Sequence, residues 1–169
     1  MTREILKFPH PALKTPTKRV DVIDRELHEL IKDMFETMYH AEGVGLAANQ
    51  IGVELSVMVI DTSKKEGSPP IKAVLINPEI LFTEGQIKYK EGCLSFPGLV
   101  VEVSRYSKVR VKALDLTGEE KIYEFEGFPA IVFQHEMDHL NGITFIDRVS
   151  GVKKRLALDR YAKLQKEKV

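Results

Sequence analysis

Residues 128–142 read FPAIVFQHEMDHLNG. Pro129 stands where a first-turn proline is tolerated, because the N–H it lacks would have no helical partner there. Phe128, Ile131, Val132 and Leu140 make the segment unusually apolar for its length. That predicts a helix placed in the core, with Gly142 at its end. Inside this apolar frame stand His135, Glu136 and His139, an HExxH pattern. Histidines at i and i+4 share one helix face, one turn apart. Two imidazole nitrogens so spaced can meet a single metal ion, and the adjacent glutamate can serve as general base toward a water activated there. On a surface helix the same string would be two solvated histidines and a glutamate. In a buried helix the ring nitrogens need partners, and a metal supplies them.

Working outward, the pattern before this helix changes twice. The first twenty residues carry three prolines and read as an extended arm. From Asp24, the residues Leu27, Leu30, Ile31, Met34, Phe35, Met38 and Tyr39 recur at three- and four-residue spacing. This predicts an amphipathic helix, capped by Asp21 or Asp24 and ended by Gly43. GVGLAANQIG at 43–52 is too small and glycine-rich for an ordinary core element. Short β-prone runs follow at 57–60, 73–76, 100–103, 109–113 and 122–125, with Gly and Pro between them. Short turns between such runs favour antiparallel pairing. A last helix is expected over about 152–166. The sum is an α+β fold: antiparallel β-sheets packed around a central buried helix carrying HExxH, with an N-terminal and a C-terminal helix. Residues 1–169 are expected to form a single metallohydrolase domain.

Composition narrows the function. Lys+Arg and Asp+Glu are 25 each, so no global field points to nucleic acid or a membrane surface. The start MTREILKFPHPALKTP has no long apolar run, which predicts neither a signal peptide nor a membrane span. One cysteine excludes an internal disulfide framework and fits a reducing compartment, so the expected location is the cytoplasm. The G-x-G string at 43–45 follows no expected strand and lacks a phosphate-type continuation. No nucleotide cofactor is expected.

Two histidines leave a third protein ligand to find. A further histidine six residues after the second would complete a longer metalloprotease pattern, but Phe145 stands there. His28 sits beside polar residues and His10 in the arm, so both are expected to be solvated. His40 lies at a helix end, where a cation is favoured anyway. Asp159 is on a basic helix, where ion pairing is its commoner fate. Cys93 is the better candidate: thiolate is a strong ligand, and a metal lowers its pKa. Most lone cysteines are small buried hydrophobes. Here Gly92 leaves room for close backbone approach.

Three motifs now stand in one order: GVGLAANQIG at 43–52, EGCLSFPG at 91–98 and QHEMDHLNG at 134–142. Together they resemble the peptide deformylases, from the proline-rich arm through GITFIDR at 142–148. The resemblance implies removal of the formyl group from the N-terminal methionine of newly made proteins. It implies one divalent ion held by Cys93, His135 and His139, with Fe2+ as the natural ion and Zn2+, Ni2+ or Co2+ able to replace it. Glu136 would act as general base and then as general acid. The Gln50 side-chain amide and the Leu94 backbone N–H would stabilise the oxyanion. Peptide backbone would pair near Val44 and Gly92, with Gly45 keeping the approach open. Val44, Phe128, Ile131 and Val132 would line the methionine pocket. Glu91 and Arg105, matching an acid before Gly-Cys and an arginine twelve residues past the cysteine, would pair and brace the ligands.

Two other classes remain beside this one. A small HExxH zinc metallopeptidase would cleave internal peptide bonds and should not need Cys93. A silent metal- or peptide-binding relative would typically lack Glu136 or Gln50, and both are present. In the terminal segment Lys153, Lys154, Arg155, Arg160, Lys163, Lys166 and Lys168 face Asp159 and Glu167, with Leu156, Leu158 and Leu164 on partial apolar faces. The ordinary reading is a packed helix with a solvated basic face. The functional one is contact with the ribosome, where nascent formyl-methionyl peptides emerge.

Overall fold

Helix α1 (Arg25–His40) begins where Asp24 accepts the Leu27 N–H at 2.9 Å. Its buried side is Leu27, Leu30, Ile31, Met34 and Met38. The helix does not end on Gly43 as expected. Ala41 follows it, Glu42 takes the left-handed conformation at φ 58°, and the Gly43 N–H closes back on the Met38 carbonyl at 2.9 Å. Gly43 is small for another reason: a Cβ there would fall 2.7 Å from Leu94 Cδ1. The structure is a computed structural model and describes residues 1–167. Lys168, counted above with the basic segment, lies outside the described residues.

The strands are β1 (Gly45–Ala47), β2 (Val57–Asp61), β3 (Lys72–Glu84), β4 (Ile87–Cys93), β5 (Phe96–Arg105), β6 (Lys108–Leu114) and β7 (Glu120–Glu126). Five form one antiparallel sheet in the order β1-β2-β3-β6-β7, and β4 pairs with β5 in a separate antiparallel ribbon. Each of the five expected runs lies inside a strand. β1 and β4 were not expected. β1 is three buried residues in the glycine-rich stretch, Gly45, Leu46 and Ala47, so that stretch does enter the core: Gly45 and Ala47 are small enough to lie against the central helix, and Leu46 packs with α1.

That helix is α2 (Phe128–Leu140), with Pro129 in its first turn and Asn141 after its last. Eleven of its 13 residues are buried, so it presents no solvent face. Gly142 follows at φ 74°, where a Cβ would sit 2.7 Å from the Lys14 carbonyl oxygen. The five-stranded sheet is sandwiched. Met58 and Ile60 of β2 face α2 with Val111, Phe125 and Phe133, while Val57 and Val59 face α1 with Leu30 and Met34. A strand buried on both faces reads as one apolar run, as Val57–Ile60 does. Burial of each such side chain contributes about 1.5–3 kcal/mol. A third cluster joins Phe96 and Val103 of β5, Phe145 and Ile146 of a 3-10 turn (Phe145–Arg148), and Ala157 and Tyr161 of α3 (Gly151–Glu167). The arm is tied down across these layers: Leu6 N–H to Gln50 O, Phe8 N–H to Ser95 O, and Thr17 N–H to Leu140 O. This is an α+β architecture with helices at both ends of the chain and antiparallel sheets around α2.

Candidate metal centre

Cys93 ends β4, while His135 and His139 lie one turn apart on α2. One ligand atom from each falls within 4.8 Å of the other two, and among the described residues no other trio of His, Cys, Asp or Glu side chains does so. Cys93 Sγ is 3.3 Å from His139 Nε2. Metal–sulfur and metal–nitrogen bonds of about 2.3 and 2.0 Å at a tetrahedral angle would set such atoms about 3.5 Å apart. The donor set therefore fits one ion.

The surroundings fit as well. His135 Nδ1 is engaged by Glu91 Oε1 at 2.8 Å, which leaves Nε2 for the centre. Burial works against charge on His135, but its contacts with the Cys93 sulfur and with Glu91 outweigh it and hold its pKa well above the usual value. A position that favours a proton there also favours a cation. Burial pushes His139 the other way, well below its ordinary range, so it stays neutral as a ligand must. Burial pushes the Glu136 carboxyl up to about 7. Its Oε1 is buried without a hydrogen-bond partner among the described residues. A neighbouring cation would pull it back toward the carboxylate range, so Glu136 can take and return a proton near neutrality.

Cys93, His135 and Glu136 line a cleft of about 470 Å³, while His139 is fully buried. Val44, Gly45, Gln50, Gly92, Leu94, Phe128, Ile131 and Val132 line the same cleft with Glu91, Cys93, His135 and Glu136. A Cβ at Gly45 would fall 2.7 Å from Glu136 Oε2, so this glycine lets β1 pass against the carboxylate. Gln50 is buried in a 3-10 turn (Ala48–Ile51) after β1, and its Oε1 accepts the Ala47 N–H at 2.9 Å. Its Nε2 consequently faces Ser95 Oγ at 3.2 Å and lies 3.9 Å from Cys93 Sγ. Ser95, to which the sequence assigned no role, thus holds the Gln50 amide.

Arg105 donates Nε to Glu91 Oε2 at 2.8 Å and Nη2 to Glu91 Oε1 at 2.9 Å. Its remaining nitrogen reaches Asp138 Oδ2 at 2.5 Å. Asp138 is the fourth residue of HEMDH, and sequence reasoning gave it no part. Gln134 was missed too. Its amide donates to the Tyr106 carbonyl at 2.8 Å and accepts the Tyr106 N–H at 2.9 Å, tying α2 to the chain just past Arg105. The available signal was spacing: Gln134 and Asp138 are i and i+4 on α2, so both face one side. Asn49 Nδ2 also bonds the His139 carbonyl. Phe145, where a third histidine might have stood, packs its ring edge-on against His135 with centroids 5.7 Å apart.

The other candidates lie elsewhere. His10, His28 and His40 are exposed. Asp159 is exposed and, against expectation, forms no ion pair among the described residues.

Comparison with known proteins agrees with this geometry. The sequence model of the polypeptide deformylase family matches residues 2–155. A peptide deformylase of Aquifex aeolicus is 66% identical over 168 residues, 99% of each chain. One of Acidobacterium capsulatum is 47% identical over 166 residues, 98% of this chain and 97% of that one. The crystal structure of a peptide deformylase from Legionella pneumophila superposes with a TM-score of 0.91 at 42% identity, covering 99% of this chain and 98% of that one. With three donors clustered beside the cleft and this similarity along the chain, it belongs to the peptide deformylase family.

Proposed function

We propose that Cys93, His135 and His139 hold one divalent ion, and that Glu136 moves the proton in the hydrolysis carried out beside it. The enzyme is a metal-dependent hydrolase that removes the N-formyl group from the formyl-methionine of new proteins and releases formate. The observation that carries the residue assignment is the donor trio within 4.8 Å, two of whose members, Cys93 and His135, line a cleft together with Glu136. A bound ion would act as a Lewis acid that polarises the formyl oxygen and acidifies water. Glu136 takes a proton from the attacking water and passes it to the leaving amine. Gln50 presents its NH2 because its carbonyl is already engaged by Ala47, and the Leu94 N–H is the second donor to the oxyanion. β1 and β4 are edge strands beside the cleft, so a peptide pairs as an added strand along Val44 and Gly92. Val44, Phe128, Ile131 and Val132 receive the methionine side chain.

Formate release from formyl-Met-Ala-Ser by the metal-loaded enzyme tests this, with Glu136→Gln as control. General acid–base catalysis contributes about 10²–10⁴-fold, and kcat should fall by that much while metal content holds. An active Glu136→Gln enzyme sinks the assignment. Cleavage of an unformylated peptide instead would point to a peptidase.

The mixed sulfur–nitrogen donor set suits several ions. We take Fe2+ as the native one, replaceable by Zn2+, Ni2+ or Co2+. Metal analysis after anaerobic isolation checks this, and a preparation holding only zinc would count against it. No helix among the described residues is long and apolar enough to cross a membrane, and we place the enzyme in the cytoplasm with its substrates. α3 exposes Lys153, Arg155, Arg160, Lys163 and Lys166, which supports contact with the ribosome. Truncation is a poor test, because Ala157 and Tyr161 belong to the core and Tyr161 Oη donates to the Phe8 carbonyl. Changing Lys153, Arg155 and Lys163 to Glu should abolish cosedimentation with ribosomes, and undiminished binding would reject the contact.

A further inference from the structure

Arg148 reaches toward the metal centre without touching it. It closes the 3-10 turn between α2 and α3. Its guanidinium forks onto Asp138, Nε to Oδ2 at 3.0 Å and Nη2 to Oδ1 at 2.6 Å. Asp138 Oδ2 also accepts from Arg105, Arg105 grips both oxygens of Glu91, and Glu91 Oε1 meets His135 Nδ1. The line runs unbroken from a side chain 47% exposed to a donor of the centre. Its inner members are sealed: the side chains of Arg105, Glu91 and Asp138 are 3%, 4% and 7% exposed.

The charge balance of that line shows what Arg148 does. Arg105 alone would stand between two buried carboxylates and serve both. Arg148 supplies the second positive charge, and it is the only side chain among the described residues bonded to Asp138 Oδ1. Without it Asp138 would draw Arg105 toward itself, and each step that way is a step away from Glu91. Glu91 in turn fixes the His135 ring. The frame holding Arg148 is rigid. Asp147 caps its own turn on the Thr144 N–H at 3.0 Å and pairs with Lys154 at 2.8 Å, while Phe145 and Ile146 are buried. A buried carboxylate that loses its partner bears the full cost of desolvation, so the line has reason to rearrange when its outer end is cut.

We propose that Arg148 is a positioning residue of the metal centre: through Asp138, Arg105 and Glu91 it fixes the His135 ring and sets how firmly the ion is kept. This rests on Cys93, His135 and His139 being the ligands. The test uses Co2+-loaded enzyme and the variants Arg148→Met, Arg148→Lys and Cys93→Ala. It reads Co2+ transfer to a chromogenic chelator, the visible Co2+ spectrum, kcat, KM and Tm. Partners outside the ligand set typically alter metal affinity about 10–100-fold. Arg148→Met should release Co2+ about tenfold faster, the low end of that range, with kcat lowered and KM for formyl-Met-Ala-Ser unmoved. Arg148→Lys, whose single ammonium cannot fork onto both oxygens, should fall between. A merely structural role would lower Tm and leave release and spectrum at parental values. That result in both Arg148 variants overturns the proposal, and rapid Co2+ loss from Cys93→Ala beside it would leave the ligand set standing. Retention of Co2+ with the parental spectrum in Cys93→Ala would overturn the ligand set and this inference together.

Discussion

Two arginine–glutamate pairs in this molecule look alike on paper. Glu91 and Arg105 lie on β4 and β5, and Arg110 and Glu124 on β6 and β7; each pair is 14 residues apart in sequence. Bond lengths are similar, 2.8 and 2.9 Å in the first pair and 3.0 and 2.7 Å in the second. Both glutamates are held below the usual carboxylate range. In Glu91 burial is the largest influence and opposes this, and the bonds from Arg105 and His135 overcome it, while in Glu124 the Arg110 bond leads and burial opposes it least. Burial separates them. The side chains are 3% and 4% exposed in the first pair, and 47% and 48% in the second. Water can replace either partner in the outer pair and neither in the inner one. The inner pair also points somewhere: beyond Glu91 lies a metal-ligand candidate, and beyond Glu124 lies solvent.

Removing Arg105 should therefore produce the largest effect. Arg105→Ala leaves Glu91 and Asp138 buried with half their partners gone. Breaking a buried pair by deleting one member costs about 3–5 kcal/mol. Denaturant unfolding should show a loss of that size, and chelator competition should show weaker metal retention. Parental stability and retention would mean that the inner pair is as dispensable as the outer one, and the comparison would collapse.

A double replacement sharpens the contrast. Arg105→Met with Glu91→Gln removes both charges at once and keeps volume, while Arg148 still partners Asp138. Neighbouring residues in one network commonly couple by about 0.5–3 kcal/mol, so the double variant should recover that much stability relative to Arg105→Ala. Metal retention should not recover, because the neutral amide introduced by Glu91→Gln would hold His135 less firmly than the carboxylate does. Stability and metal affinity then part company, as expected if the inner pair serves the centre more than the fold. Recovery of both together would make the pair a folding element only.

The same contrast explains what was legible in the sequence. HEMDH and Cys93 could be read because their chemistry is local: one helical turn fixes the two histidines, and few side chains besides a cysteine can complete the set. α1 could be read from its apolar spacing, and the five runs of Val, Ile and Phe from their β-prone side chains. β4 went unread because its alternation is short, Ile87-Lys88-Tyr89-Lys90, and then breaks where the buried position is the charged Glu91. β1 is three residues whose strand character comes from pairing with β2 rather than from propensity. The contacts of Asp138, Gln134 and Ser95 were closed for a different reason. Asp138 meets Arg105 across 33 positions and Gln50 meets Ser95 across 45. Only the folded chain brings such residues together.

The smallest expected effect is at the outer pair. Arg110 and Glu124 stand directly opposite each other on β6 and β7. Both donors of Arg110 go to one oxygen, Oε1, so the geometry is less favourable than the two-oxygen fork of Arg105. Exposed ion pairs gain modest attraction in water and lose side-chain entropy on holding one geometry. Arg110→Ala should leave Tm, kcat and metal retention within experimental scatter. Salt separates the two pairs further. At about 1 M ionic strength the screening length is about 3 Å, so any difference between parent and Arg110→Ala should vanish. The Arg105→Ala deficit should persist, because ions do not enter the buried network. A salt-sensitive Arg105 deficit would show that water reaches the line between Arg148 and His135, and burial would then no longer explain why these two similar pairs differ.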